Sequence, residues 1–93
     1  MTTTNRQTYL VEHYRPGVQI DELTQSASLV RDAVGQMERE GKAVEYVSST
    51  IVPRDEYFVA VVVAASEDLV REAYARAGIA FERISTAFSL GPA

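Results

Sequence analysis

Apolar and polar positions switch between two periods along the chain, and the switches mark its elements. Tyr9 to Tyr14 interleaves aromatic and aliphatic residues with polar ones, a strand pattern. Arg15-Pro16-Gly17 stops it, because proline has no N–H to give to a ladder. From Ile20 the apolar residues recur at Ile20, Leu23, Ala27, Val30, Val34 and Met37, a spacing that sets them on one helical stripe to about Glu40. Asp21 and Glu22 suit the positive end of that helix, and Gly41 suits a left-handed close. Val44 to Val52 and Tyr57 to Ala65 are β-branched runs on either side of Pro53-Arg54-Asp55-Glu56, which predicts a hairpin. Ser66 predicts an N-cap ahead of Glu67 and Asp68, and Leu69, Val70, Ala73 and Ala77 form the apolar side of a short helix ending at Gly78. Glu82 to Leu90 alternates again, with Ile84, Thr86 and Phe88 on one face and Arg83, Ser85 and Ala87 on the other.

The order β-α-β-β-α-β is the split βαβ arrangement. It predicts a ferredoxin-like α+β sandwich: an antiparallel four-stranded sheet with the first and third strands central and two helices on one face. The domain is expected over residues 9–90, with residues 1–8 as a disordered polar tail. In the third strand Tyr57, Val59, Val61 and Val63 point one way and Phe58, Ala60, Val62 and Ala64 the other, so it is apolar on both sides. A solvated antiparallel sheet alternates apolar with polar, and the face without helices is therefore expected to be covered by a second copy, in a homodimer or a higher assembly.

Composition narrows the function classes without choosing one. A chain of 93 residues allows one small core, and 46% hydrophobic with 24% charged residues is ordinary for a folded domain. The net charge of -4 argues against nucleic acid and anionic membrane surfaces as partners. Phe58 to Ala65 is the most apolar run and is far too short for a membrane helix, so a cytoplasmic protein is expected. There is no cysteine, which removes disulfides, thiol nucleophiles and thiolate metal sites. No phosphate-binding glycine loop or nucleophile elbow is present.

The residues with chemical potential are few. His13, the single histidine, is a candidate metal ligand or general base, or simply a strand-end residue that is hydrogen-bonded or half exposed. Glu12 adjoins it, but consecutive strand residues face opposite ways, so the two cannot form a dyad within one chain. Glu12 interrupts a central strand: either it sits in an apolar pocket with a raised pKa, or it pairs with Arg83 on the neighbouring last strand. Tyr9, Tyr14, Tyr46, Tyr57 and Tyr74 offer flat apolar bodies with polar tips, suited to a ligand site as well as to core or interface. The candidate ligand-binding set is Glu12, His13, Tyr14, Tyr57 and Tyr74, with His13 the one metal candidate. Glu38-Arg39-Glu40, Arg71, Glu72 and Arg76 read as solvated helix faces with weak local ion pairs.

The stretches YLVEHYRPG, SEDLVREAYARAGI and FERIS resemble a family of small actinobacterial ferredoxin-like proteins of unknown function that includes a nickel-binding member. Val11-Glu12-His13 matches its first-strand ending before Pro-Gly, and Arg76-Ala77-Gly78 its helix ending before a short last strand. The resemblance implies the ferredoxin-like fold and raises nickel as a ligand. Family members commonly carry a histidine in the second strand, a cysteine in the third and a histidine in the second helix, where this chain has Ser48, Phe58, and Ala73 or Tyr74. No cofactor is therefore expected, unless nickel is shared across a dimer by His13 and carboxylates. Three readings result: a non-enzymatic homo-oligomeric domain binding a small ligand or metal, a small cofactor-independent enzyme of the dimeric α+β barrel type using an acid-base residue, and a module docking a different protein.

Overall fold

Alternation within the strands decides which side of each the helices cover. In the computed structural model, which describes residues 6–88, the elements run β1 (Gln7–Tyr14), α1 (Ile20–Arg39), β2 (Val44–Val52), a 3₁₀ turn (Pro53–Asp55), β3 (Tyr57–Ala64), α2 (Glu67–Ala77) and β4 (Arg83–Ala87). Every ladder is antiparallel and the strand order is β2-β3-β1-β4. This is the expected ferredoxin-like sandwich, with β1 and β3 central. Strand β1 starts two residues before Tyr9: Gln7 and Thr8 pair with Ala64 and Val63, so they belong to the sheet and not to a tail. Ser89 and Leu90, expected in the last strand, lie outside the described residues, as do Met1 to Asn5.

Both helices cover the face that carries Tyr9, Val11, Phe58, Ala60, Val62 and Ala64, all of them buried. Helix α1 contributes Leu23, Ala27, Val30, Ala33, Val34 and Met37 to this core, and α2 contributes Val70, Ala73 and Tyr74. Ile20, expected on the α1 stripe, is exposed at the first helical residue, while Ala33 is buried beside Ala77 of α2. The helix ends follow local chemistry. Gly41 takes a left-handed φ of 86° after α1, and the Lys42 N–H then reaches back to the Met37 carbonyl at 3.0 Å. Ser66 caps α2 by accepting the Leu69 N–H.

The helix-face charges include the expected weak local ion pairs, Arg71 with Glu67 and Arg76 with Glu72, and are also cross-linked between elements. The Arg76 guanidinium donates to both Glu40 carboxylate oxygens at 2.7 Å and to Glu72 at 2.5 Å, and Lys42 reaches Glu72 at 2.8 Å. A bidentate arginine ties the end of α1 to α2 in this network, although each exposed pair contributes little by itself. Phe88, expected on the same face as Ile84, is 93% exposed beyond the end of β4, where no ladder partner holds it.

The opposite sheet face carries no helix. Leu10, Val59, Val61 and Val63 make a half-buried apolar stripe there, flanked by Val52 and Ala87. Strand β2 bulges at Val47, which interrupts its pairing between Tyr46 and Ser48.

Burial dictates stability at single positions. Met37→Ala, at a fully buried site, is expected to cost about 3 kcal/mol, whereas Leu29→Ala on the exposed side of α1 costs less than about 0.5 kcal/mol. Urea unfolding of both variants measures the difference.

Candidate functional site

One end of the central β1–β3 pair sorts the candidate residues into two clusters. Glu12 lies opposite Val59 on β3 and Arg83 on β4, His13 opposite Phe58, and Tyr14 opposite Tyr57. Alternation sends Glu12, Tyr14 and Tyr57 to the open face and His13 to the helix side. The five candidates thus do not form one site, and the adjacent Glu12 and His13 face opposite ways, as their spacing requires.

On the open face, Glu12 accepts the Arg83 Nε–H at 2.7 Å on one oxygen and the Tyr57 hydroxyl at 2.5 Å on the other. Arg83 first and Tyr57 second hold this carboxyl below its ordinary pKa, against a smaller opposing effect of burial. The same bond to Glu12 is the main cause that raises the Tyr57 hydroxyl. Of the two alternatives for Glu12, the ion pair with Arg83 is the one realised. Exposed Tyr14 stands beside this cluster, and with Glu82 and His13 the group borders an open hollow of about 320 Å³.

On the helix side, His13 is buried to 4% exposure, which corrects the expectation of a half-exposed strand-end residue. Phe58 packs edge-on against its ring at 5.0 Å and Tyr74 lies at 5.7 Å, so α2 and β3 close over it. Burial, followed by the charge of Arg15, lowers its pKa to about 4, while the nearby Ala80 backbone acts in the opposite direction, without a hydrogen bond of ordinary geometry. The ring is neutral at pH 7. Its Nε2 has no hydrogen-bond partner, and neither do the buried hydroxyls of Tyr46 and Tyr74. All three residues line one small cavity under α1, with a volume of about 10 Å³. Burial raises the pKa of both tyrosines; Ser49 lies near enough to Tyr46 to oppose this slightly, without a hydrogen bond of ordinary geometry.

Tyr46 was not in the candidate set. It shares the face of Val44 by simple alternation, but only the packing of β2 under α1 brings it to the same small cavity as His13. The positions that the family resemblance assigns to nickel do not converge. Ser48 pairs with Val61 and faces the open side because Val47 is bulged out, whereas Phe58, Ala73 and Tyr74 are in the core. Among the described residues no group of three or more histidines, aspartates or glutamates is placed to hold a metal. No helix among them is long and apolar enough to cross a membrane.

No family model matches this chain, and no curated protein matches it either. The crystal structure of SCO4226 from Streptomyces coelicolor A3(2) does, with a TM-score of 0.67 over 86% of this chain and 94% of that one, at 16% identity. The likeness is one of fold.

The buried imidazole has a consequence for pH. Folded His13 stays neutral while the unfolded chain takes up a proton below pH 6.5, so stability declines as the pH falls from 6.5 towards about 4. Urea midpoints at pH 7, 5.5 and 4.5 are expected to show this decline, and His13→Gln to flatten it.

Proposed function

We propose that this chain is a non-enzymatic, small-ligand-binding domain that works as a homodimer, and that it belongs to the small actinobacterial ferredoxin-like family its motifs resemble. The observation that carries the dimer is the open sheet face, where Leu10, Val59, Val61 and Val63 form a continuous apolar stripe. A second copy suits this face for three reasons. A two-fold axis brings stripe onto stripe with no new chemistry needed. The Glu12–Arg83 pair is already neutralised within one chain, so stacking leaves neither charge without its partner. The sheet edges are poor alternatives, because β2 is bulged and β4 has only 5 residues.

The size of the face is compatible. Strands about 4.8 Å apart and roughly 25 Å long give roughly 500 Å² per copy, hence roughly 1,000 Å² for the pair, the lower bound of a specific interface. Stacking also roofs the hollow beside Tyr14, Tyr57, Glu12 and Arg83, which then offers aromatic walls and a charged rim to a small molecule. Glu12 held ionised by two donors suits a positioning group better than a general acid, which favours binding over catalysis. The family's nickel chemistry is not carried over, since one imidazole and no convergent carboxylates make a poor site for a borderline metal.

Sedimentation velocity at micromolar concentration is expected to give about twice the chain mass of 10.3 kDa. Val61→Glu is expected to return a folded monomer, because it buries two like charges at the centre of the contact. A wild-type monomer that binds a hydrophobic dye would instead assign the face to a different protein, and one that binds no dye would remove the docking role.

Nickel calorimetry at pH 7 is expected to show no stoichiometric site tighter than roughly 1 μM. Tight binding of one ion per chain, abolished by His13→Ala, would restore the metal reading.

A further inference from the structure

We propose that the open hollow beside Tyr14 and Arg83 is a composite site, closed by Phe88 of a second copy of this chain. The inference rests on the homodimer proposed above and adds the orientation of the two copies that builds the site.

Phe88 is 93% exposed, more than any other large apolar residue among those described. It stands at one end of the apolar stripe, where it borders a hollow of about 230 Å³ with Thr8, Leu10, Val61 and Ala87. Tyr14, Glu12 and Arg83 stand at the other end, around the hollow of about 320 Å³. One chain cannot bring the two ends together. Ala87 pairs with Thr8, which is six residues of β1 away from Tyr14, a separation of roughly 20 Å.

The register of the sheet selects how two copies stack. A two-fold axis between two aligned sheets runs either along the strands or across them. An axis along the strands lays β1 on β3 of the partner, and then sets Glu12 on Val59 and Thr8 on Val63, polar on apolar. An axis across the strands, through Leu10 and Val61, lays each strand on its own counterpart. Val59 then meets Val63, Leu10 and Val61 meet themselves, and Glu12 meets Thr8. This second axis keeps apolar against apolar along the whole stripe.

The same rotation carries Phe88 into the site. Leu10 pairs with Ser85, so the axis crosses β4 at Ser85. Phe88 lies three residues after that point, and the rotation brings it over the position three residues before it. That position is Glu82, which borders the hollow with Tyr14, Glu12 and Arg83. The groups there suit an aromatic ring. Tyr14 offers an exposed aromatic surface, and the largely exposed Arg83 uses its Nε–H on Glu12 while the flat face of its guanidinium stacks on the incoming phenyl. Each copy thus gives its ring to the other, and two equivalent sites close in one dimer.

The chain has no cysteine, so introduced thiols report this arrangement directly. Tyr14→Cys and Phe88→Cys, singly and together in the full chain, are treated with a bis-maleimide spanning about 10 Å, the spacing of stacked sheets, at a concentration where each variant sediments as a dimer. The double variant is expected to give a covalent dimer, and each single variant to remain at the chain mass. Phe88→Ala is expected to raise the dimer dissociation constant about tenfold or more, with an unchanged circular dichroism spectrum. Cross-linking of Tyr14→Cys alone would set the axis along the strands; it would overturn the composite site and leave the homodimer standing. A dimer that Phe88→Ala does not weaken, and whose double variant does not cross-link, would do the same. A monomeric wild-type chain would overturn both readings.

Discussion

The pairing of β1 with β3 at the centre of the sheet holds Glu12, His13, Tyr14 and Tyr57 in place. Its register runs without interruption from Gln7↔Ala64 to Tyr14↔Tyr57. A slip by one residue would turn Glu12 into the core and His13 to the open face, and would do the same to each apolar position of β1. That cost fixes the register, because Val11 and Tyr9 must face the helices for α1 and α2 to bury their stripes. The neighbours Glu12 and His13 consequently live in different chemistry: a carboxylate between two donors on one side of the sheet, and a neutral imidazole among aromatic rings on the other.

The two clusters differ in how they meet their polar demands. Both oxygens of Glu12 are bonded, which makes the outer group internally complete and tolerant of being covered. Within the chain, the inner group is incomplete at three atoms in an otherwise well-filled core. A core that sought stability alone would have apolar residues of similar volume there. The aromatic bodies of His13, Tyr46 and Tyr74 supply the packing, and their polar tips add a cost to it.

The helices are held to the sheet mainly by apolar burial, with the Arg76 network acting at the surface. Its bidentate bond to Glu40 joins the residue that caps α1 to α2, and Lys42 in the following loop reaches Glu72. The end of α1 near Gly41 is thus anchored from several directions, whereas its first half covers the cavity beside His13 with Leu23, Ser26 and Ala27. Small side chains at Ser26 and Ala27 leave the space that larger residues would have filled.

Much of the fold was legible in the sequence because it rests on local periodicity. The spacing from Leu23 to Met37, the alternation of Tyr9 to Tyr14, the Ser66 cap and the turn at Pro53 each act over a few residues, and the structure has the corresponding elements. Alternation alone also separated Glu12 from His13, and the order of elements placed Arg83 beside Glu12, across 71 residues of chain. What required tertiary structure was depth and convergence. His13 reads as a strand end, and only the closure of α2 and Phe58 over it buries the ring. The bulge at Val47 turns Ser48 to the open face, and no pattern in β2 announces it. Tyr46, Tyr74 and His13 belong to three elements whose separate periods say which face each occupies and nothing about the point where they meet. Periodicity fixes direction one element at a time; the meeting point depends on how α1 and α2 settle on the sheet, which is set by the packing of the whole core.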